Sequence, residues 1–413
     1  MVEKSFRISP ETINKIIKDF HSEMSAGLSG RKSSLAMIPT FASMPTGSET
    51  GRFIALDLGG TNFRILEITL GGRGRISIPA QHRFRLKTRD ITGTQKQLFG
   101  FIAASLKRFM LANKIGAGEK ILLGFTFSFP VRQTNISNGI LLSWNKGFSA
   151  KNTVGKDVVQ LVNKALKRKG LHNIKIAALI NDTIGTLVTK RYSDPGCDLG
   201  VILGTGTNAA YPEKKMGEMA INIEWGNFNR LPRTIYDRKM DATTPNPGRQ
   251  TLEKMVSGMY LGELARLIFS DMTNKKILKP WEFTTTHLSL AESDISRRLG
   301  GIARLLKGLG APSLTYADRL LMKRICGMVS ARSAQISAAA IVAVILRIDP
   351  GLKRGHTVAI DGSLFEKWPK YRSHIKSSLV AILKEKARKI SLALTQDGSG
   401  KGAAVVAATA SNS

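Results

Sequence analysis

Cysteine is nearly absent: Cys197 and Cys326 are the only two in 413 residues. Two are too few for a disulfide framework and form no close pair for a metal, so a reducing, cytoplasmic compartment is expected. The six histidines show no paired ligand spacing, which argues against a zinc site. Long hydrophobic runs are also missing. The longest, residues 338–346, falls well short of the roughly 18 residues that cross a bilayer. Residues 1–20 mix charge with apolar side chains, unlike a secretory signal. No low-complexity tract is present, and neither GTG nor GSGKG meets the GxxxxGK[ST] spacing of a P-loop. Acidic residues are scarce, 30 against 62 Lys and Arg, for a net charge of +32. Such a balance suits anionic partners: nucleic acid, an anionic membrane surface or a phosphorylated small molecule. The basic residues are spread along the chain. The densest groups, KALKRK (164–169) and KEKARK (384–389), fall on expected helices without interleaved aromatics, so they read as solvated faces rather than a nucleic-acid site.

What is present is 42% hydrophobic and 22% charged, a globular composition long enough for two to three domains. The chain is organised around residues 53–66, FIALDLGGTNFRIL. An apolar run ends in Asp57, two glycines, Thr61 and Asn62 before a second apolar run, which reads as strand, tight turn, strand. Gly59 and Gly60 lack Cβ, so the turn's N–H groups can approach a polyphosphate closely. Asp57 would repel phosphate, and a divalent cation or its water is the natural intermediary. An ordinary hairpin beside an acid is the competing reading.

Before this stretch, residues 1–50 pair a leading helix (Ile13, Ile16, Ile17, Phe20) with a Ser-, Pro- and Gly-rich connector. After it come a strand at 76–85, a helix at 95–111, a strand at 121–129 and the loop LLSWNKGF (141–148). An amphipathic helix at 158–166 precedes a buried strand, 174–180, which delivers Asn181 and Asp182 at its C-terminal end, where open α/β sheets bind ligands. A second unit then starts with a strand at 199–203 closing on GTGTN (204–208). Its form echoes the first, which points to a duplicated α/β domain around a central cleft. Asn246 and Pro247 read as cap and first turn of a helix running to about Phe269. On it Gln250 and Glu253 share a face and Leu252, Met255, Met259 and Leu264 form the buried side. Helices at 294–309 and 316–346, a strand at 357–360 ending in Asp361, Gly362 and Ser363, and an Ala-rich terminal helix opened by GSGKGAA complete the chain.

Taken in order, LDLGGTNFR (56–64), GFTFSFP (124–130), WNKGF (144–148), NDTIGTL (181–187), GTGTNAAY (204–211), INIEWGNF (221–228), NPGRQTLEKMVSGMYLGEL (246–264), IDGSLF (360–365) and DGSGKGAA (397–404) closely resemble the hexokinase family. The resemblance runs from about Ser34 to the C-terminus. It implies an α/β, two-lobed actin-like ATPase (ribonuclease H-like) fold with a central cleft between small and large lobes, and transfer of the γ-phosphoryl of ATP, with Mg2+, to a hexose 6-hydroxyl. It also implies the roles. Asp182 is the catalytic base and Lys146 holds the sugar and offsets charge. Ser128, Asn145, Asn181, Asn208, Glu224, Gln250 and Glu253 bind sugar. Asp57, Gly59, Gly60, Thr61, Asn62 and Arg64 hold the phosphates and, through water at Asp57, the cation, while Thr205 contacts phosphate and Gly362 and Ser363 hold adenosine. Asn145 stands where the family usually has Thr, and the family is not typically so basic. The expected division is an N-terminal helix and connector (1–49) on the large lobe, a small lobe (50–180), a large lobe (181–397) and a C-terminal helix (398–413) returning to the small lobe. Two other readings stay open: a hexose sensor that closes without turnover, and a basic protein that binds nucleic acid or an anionic surface.

Overall fold

Short runs of Val, Ile, Leu and Phe punctuated by glycine build two separate sheets. The computed structural model describes residues 2–59, 62–116 and 118–412. In chain order its strands are β1 (Ile38–Pro39), β2 (Thr50–Gly59), β3 (Asn62–Gly71), β4 (Ile76–Arg85), β5 (Ile121–Phe127), β6 (Val131–Arg132) and β7 (Ile140–Leu141). Then follow β8 (Ile174–Ile180), β9 (Cys197–Leu203), β10 (Thr207–Glu213), β11 (Met219–Asn222), β12 (His356–Asp361) and β13 (Ile390–Leu394).

β2, β3 and β4 form an antiparallel meander, and β5 then β8 join in parallel beside β2, in the order β4-β3-β2-β5-β8. The other sheet repeats this plan. β9, β10 and β11 form the meander, β12 then β13 join in parallel beside β9, and β1 adds to the far edge. β6 and β7 make a separate ribbon. The duplication expected from two strand-and-glycine-turn units is therefore a duplication of sheet topology. In both halves the parallel strands point their C-terminal ends, where ligands bind in such sheets, toward the meander's first turn.

Two helices lie between the sheets. Asp182–Ser193 packs on β9, β10 and β12, while Gly398–Asn412 packs on β2, β5 and β8, and the two cross each other. Their approach explains the glycines of the last motif. A Cβ on Gly402 would meet the Gly185 Cα at 2.3 Å, and one on Gly124 would meet the Ala403 carbonyl oxygen at 2.0 Å. GSGKG is a helix-crossing surface, and Ala403 to Ala408 fill the inter-sheet core with small side chains.

The outer face of the five-stranded sheet is covered by Gln95–Ala112 and Val158–Arg168. The larger half carries its own core around Tyr316–Ile348, which packs against Pro10–Leu28, Leu261–Thr273 and Pro369–Leu383. That long helix is apolar enough over one stretch to span a bilayer, but 83% of the stretch is buried within the protein. Inside this core Arg332 donates to both carboxylate oxygens of Asp237, at 2.8 and 2.7 Å, with both side chains 2% exposed.

Several local expectations change, among them the helix expected at 294–309, which begins only at Gly300 after a 3-10 turn. The helix read from Asn246 to Phe269 is two helices, Thr251–Val256 and Leu261–Thr273. Residues 246–250 are instead a turn with Gly248 and Gln250 at positive φ, held where the Lys254 ammonium donates to the Asn246 carbonyl and to Asp241. The helix stops at Ser257 because the next backbone donors are diverted: Gly258 N–H to the Gly204 carbonyl at 2.8 Å and Met259 N–H to that of Thr205 at 3.1 Å. Met259 consequently leaves the buried side and is 55% exposed. β5 ends at Phe127, two residues before the expected end, and KEKARK forms a 3-10 turn rather than an α-helix.

Candidate active site

The C-terminal ends of β2, β5, β8 and β12 converge on one cavity of about 310 Å3. It is lined by Asp57, Gly59 and Arg64 from the first hairpin, Ser128 and Lys146 beyond β5, Asp182 after β8, Ile202 on β9, Asp361 and Gly362 after β12, and Ser399 at the start of the last helix. Residues up to 342 positions apart thus share one wall.

Asp57 lies within the buried run of β2, one residue before its end at Leu58, and is itself buried. Its Oδ2 accepts from Arg64 Nε at 3.0 Å, from Arg64 Nη2 and from Ser399 Oγ at 2.8 Å. Arg64 Nη1 donates to Asp397. Burial alone would lower the Arg64 guanidinium's pKa; the Asp57 and Asp397 carboxylates outweigh it and raise it, so Arg64 is a permanent cation bridging the hairpin to the final helix. Gly60 and Thr61 lie outside the described residues, as does the side chain of Asn62.

Asn181 and Asp182 divide two tasks. The Asn181 Oδ1 caps the helix by accepting from Ile184 N–H at 2.9 Å. The Asp182 carboxylate is thereby left at the first helical position, accepting from Thr183 Oγ1 at 3.2 Å and facing the cavity. Lys146, at φ 53° in its loop, donates to the Ser128 carbonyl at 2.9 Å and lies 5.7 Å from the centre of the Phe129 ring. Neighbouring Asn145 is exposed, with its carbonyl accepting from Phe148 N–H.

A second polar cluster adjoins these groups. Asn208 Nδ2 donates to Glu224 Oε1 at 3.0 Å, and Asn222 Nδ2 donates to the same oxygen at 2.8 Å. Glu224 itself sits at φ 54° where β11 gives way to a 3-10 turn. Glu253 Oε2 accepts from Thr207 N–H at 3.1 Å. Burial raises the pKa of both glutamates, the Asp182 charge adds to it at Glu224 and the Glu224 charge at Glu253, while Lys146 opposes it at both. Gln250, the cap of the Thr251–Val256 helix, accepts from Asn246 Nδ2. Thr205 and Ser363 are exposed on the two turns that meet at Gly204 and Gly362. Gly362 has φ 118°, and a Cβ there would lie 2.3 Å from the Leu203 carbonyl oxygen, so only glycine lets the two strand ends touch.

Sequence reasoning does not single out Asp361, Asp397 or Ser399. Asp361 ends β12 as Asp57 nears the end of β2, so a strand-end acid before glycine was the available signal. Its carboxyl is pushed up to about 6, first by burial and then by the Asp182 and Asp397 charges, against the pull of the Gly362 and Gly398 N–H groups. No disulfide links Cys197 and Cys326, which are both buried and free.

A cleft with an acidic floor and one glycine turn from each half of a duplicated α/β scaffold defines a two-lobed phosphotransferase. Two family models, both described as Hexokinase, match residues 1–192 and 198–409. The chain belongs to the hexokinase family, with the two-lobed actin-like fold. Hexokinase-4, chloroplastic, of Oryza sativa subsp. japonica is 39% identical over 434 residues, covering 96% of this chain and 85% of that protein. Hexokinase-1 of Spinacia oleracea is 40% identical, covering 94% and 85%. A solved hexokinase from Schistosoma mansoni, complexed with glucose, matches with a TM-score of 0.87 at 36% identity over 98% of this chain and 97% of that one.

Proposed function

We propose that this protein transfers the γ-phosphoryl group of MgATP to the 6-hydroxyl of a hexose, glucose foremost, giving hexose 6-phosphate for glycolysis. The observation that carries the reading is the convergence of Asp182, Lys146 and Ser128 with Asp57, Gly59 and Gly362 on one cavity. Asp182, uncommitted to capping, is the base: as the sugar O6–phosphorus bond forms and the bond from phosphorus to the β-phosphate oxygen breaks, the hydroxyl proton passes to its carboxylate. Lys146 holds the sugar and offsets charge on the transferring group. Asn145, Asn181, Asn208, Glu224, Gln250 and Glu253 supply the amides and carboxylates that a polyhydroxyl ligand requires. Gly59, Gly60, Thr61, Asn62, Arg64 and Thr205 receive the phosphates, and Gly362 and Ser363 the adenosine.

The cavity suits Mg2+ chemically. Asp57, Asp182 and Asp361 bring three carboxylates to its lining beside Lys146 and Arg64, the hard oxygen donors that this cation takes. Asp57 would hold the cation through water, and the bound ion would offset charge on the nucleotide phosphates. The crossing of the Asp182–Ser193 and Gly398–Asn412 helices serves as the hinge. Closure on sugar excludes water as an acceptor. The buried free thiols accord with a reducing cytoplasm. The test is ADP release from MgATP by purified protein, without sugar and with each of several hexoses. Hexose-dependent release is expected; release indifferent to sugar, or none with any hexose, overturns the reading.

A further inference from the structure

The KEKARK segment lies away from the cleft lining and borders a second hollow. A groove of about 730 Å3 lies along the outer edge of the six-stranded sheet. Its basic wall is Lys376, Lys384 and Arg388, and its apolar floor is Leu379, Val380 and Leu392. Val380 is 57% exposed despite its hydrocarbon side chain.

Three features of this place act together. β13 is the terminal strand of its sheet, paired only with β12. Because Thr395 N–H bonds inward to the Ile360 carbonyl, the alternation of a strand turns the backbone donors and acceptors of Leu392 and Leu394 outward, and they have no partner among the described residues. The cations are equally unpaired. Lys389 spends its ammonium on the Leu352 carbonyl at 2.6 Å, but Lys376, Lys384 and Arg388 meet no carboxylate among the described residues, and Glu385 is the only acid on the lining. Finally, no aromatic side chain among the described residues lines the groove. Without a stacking platform it does not suit single-stranded nucleic acid, which needs such surfaces beside its basic track.

We infer that this edge binds an acidic peptide segment in extended conformation, added as a further strand on β13. The outward backbone of Leu392 and Leu394 supplies the ladder, and the acidic side chains, all on the one face of the added strand that turns toward the Pro369–Leu383 helix and the turn after it, meet Lys376, Lys384 and Arg388. The site lies apart from the phosphoryl-transfer machinery and accounts for part of the basic excess that the reaction leaves unexplained.

The probe is a fluorescein-labelled, end-blocked peptide of alternating Glu and Val, about eight residues long so that it overhangs the strand. Its anisotropy is followed on titration with the full chain at low and high salt. Saturable binding is expected, weakening as salt rises. In the variant Lys376→Glu/Lys384→Glu/Arg388→Glu the affinity should fall roughly tenfold or more, since three exposed ion pairs are lost. Hexose-dependent ADP release by the same variant, unchanged from wild type, establishes that it is folded. A second probe with the same sequence, N-methylated at alternate residues, keeps every charge but loses the strand ladder, and should bind at least several-fold more weakly. Equal binding of the two probes overturns strand addition. The proposal also fails if the wild-type chain shows no saturable binding, or if oligothymidylate of equal charge displaces the peptide at lower concentration than unlabelled peptide does.

Discussion

Replacing Asp361 by Asn should stabilise the ligand-free protein at neutral pH, and the gain should depend on pH in a defined way. The carboxyl titrates at about 6 in the folded chain against an ordinary 3.8, because burial and the Asp182 and Asp397 charges oppose its ionisation. The folded state therefore binds this proton more tightly than the unfolded state. Its contribution is most favourable below about pH 4, is lost as pH rises toward about 6, and is constant above. With 1.36 kcal/mol for each pKa unit, ionising Asp361 costs the fold at most ~3 kcal/mol. Partial exposure of the side chain discounts this to about 1–3 kcal/mol. Asn keeps an oxygen to accept from the Gly362 and Gly398 N–H groups but carries no charge. Urea unfolding of both proteins, followed by fluorescence from about pH 4.5 to 7.5, isolates the effect in their difference, because every other titrating carboxylate is common to both. The difference should rise with pH and level off above about 6 in favour of the variant. A constant difference, or a less stable variant at the upper end, would show that Asp361 is not under this electrostatic load.

Asp182→Asn should lower turnover roughly 10^2- to 10^4-fold by removing the base, while thermal stability changes little because Asn181, not Asp182, caps the helix. Calorimetry beside the ADP assay checks both halves, and an active variant would remove Asp182 from its role. Gly402→Ala places a methyl against the Gly185 backbone and should cost about 1–3 kcal/mol in urea unfolding, with Leu or Val worse still. Arg332→Met leaves Asp237 buried and uncompensated, for an expected loss of about 3–5 kcal/mol, part of which Arg332→Met/Asp237→Asn should recover.

How much of this was legible beforehand follows from which physics acts locally. The hairpin at Asp57, the strand delivering Asp182 and the second glycine turn were readable because strand periodicity and the positive-φ freedom of glycine act within a few residues. Two copies of one local pattern then implied a repeated topology, and the sheets repeat it. The Asn246 helix was misread for the opposite reason. Asn-Pro at a helix start is a sound local signal, but Lys254 and Asp241 fold that segment into a turn, and the carbonyls of Gly204 and Thr205 take the donors that would have continued the helix past Ser257.

By itself, then, the sequence determined the family, the duplicated α/β plan and the strand-end positions of the reacting groups, since each rests on backbone constraints carried by neighbouring residues. Tertiary structure alone decided that Asn181 caps and leaves Asp182 free, that Asp361 joins Asp57 and Asp182 around one cavity, and that Asp397 pairs with Arg64 at its edge. It alone made GSGKG a helix crossing and left β13 with an open basic edge. Charge coupling, close approach and exposure depend on distances between residues far apart in the chain, and no local periodicity encodes those distances.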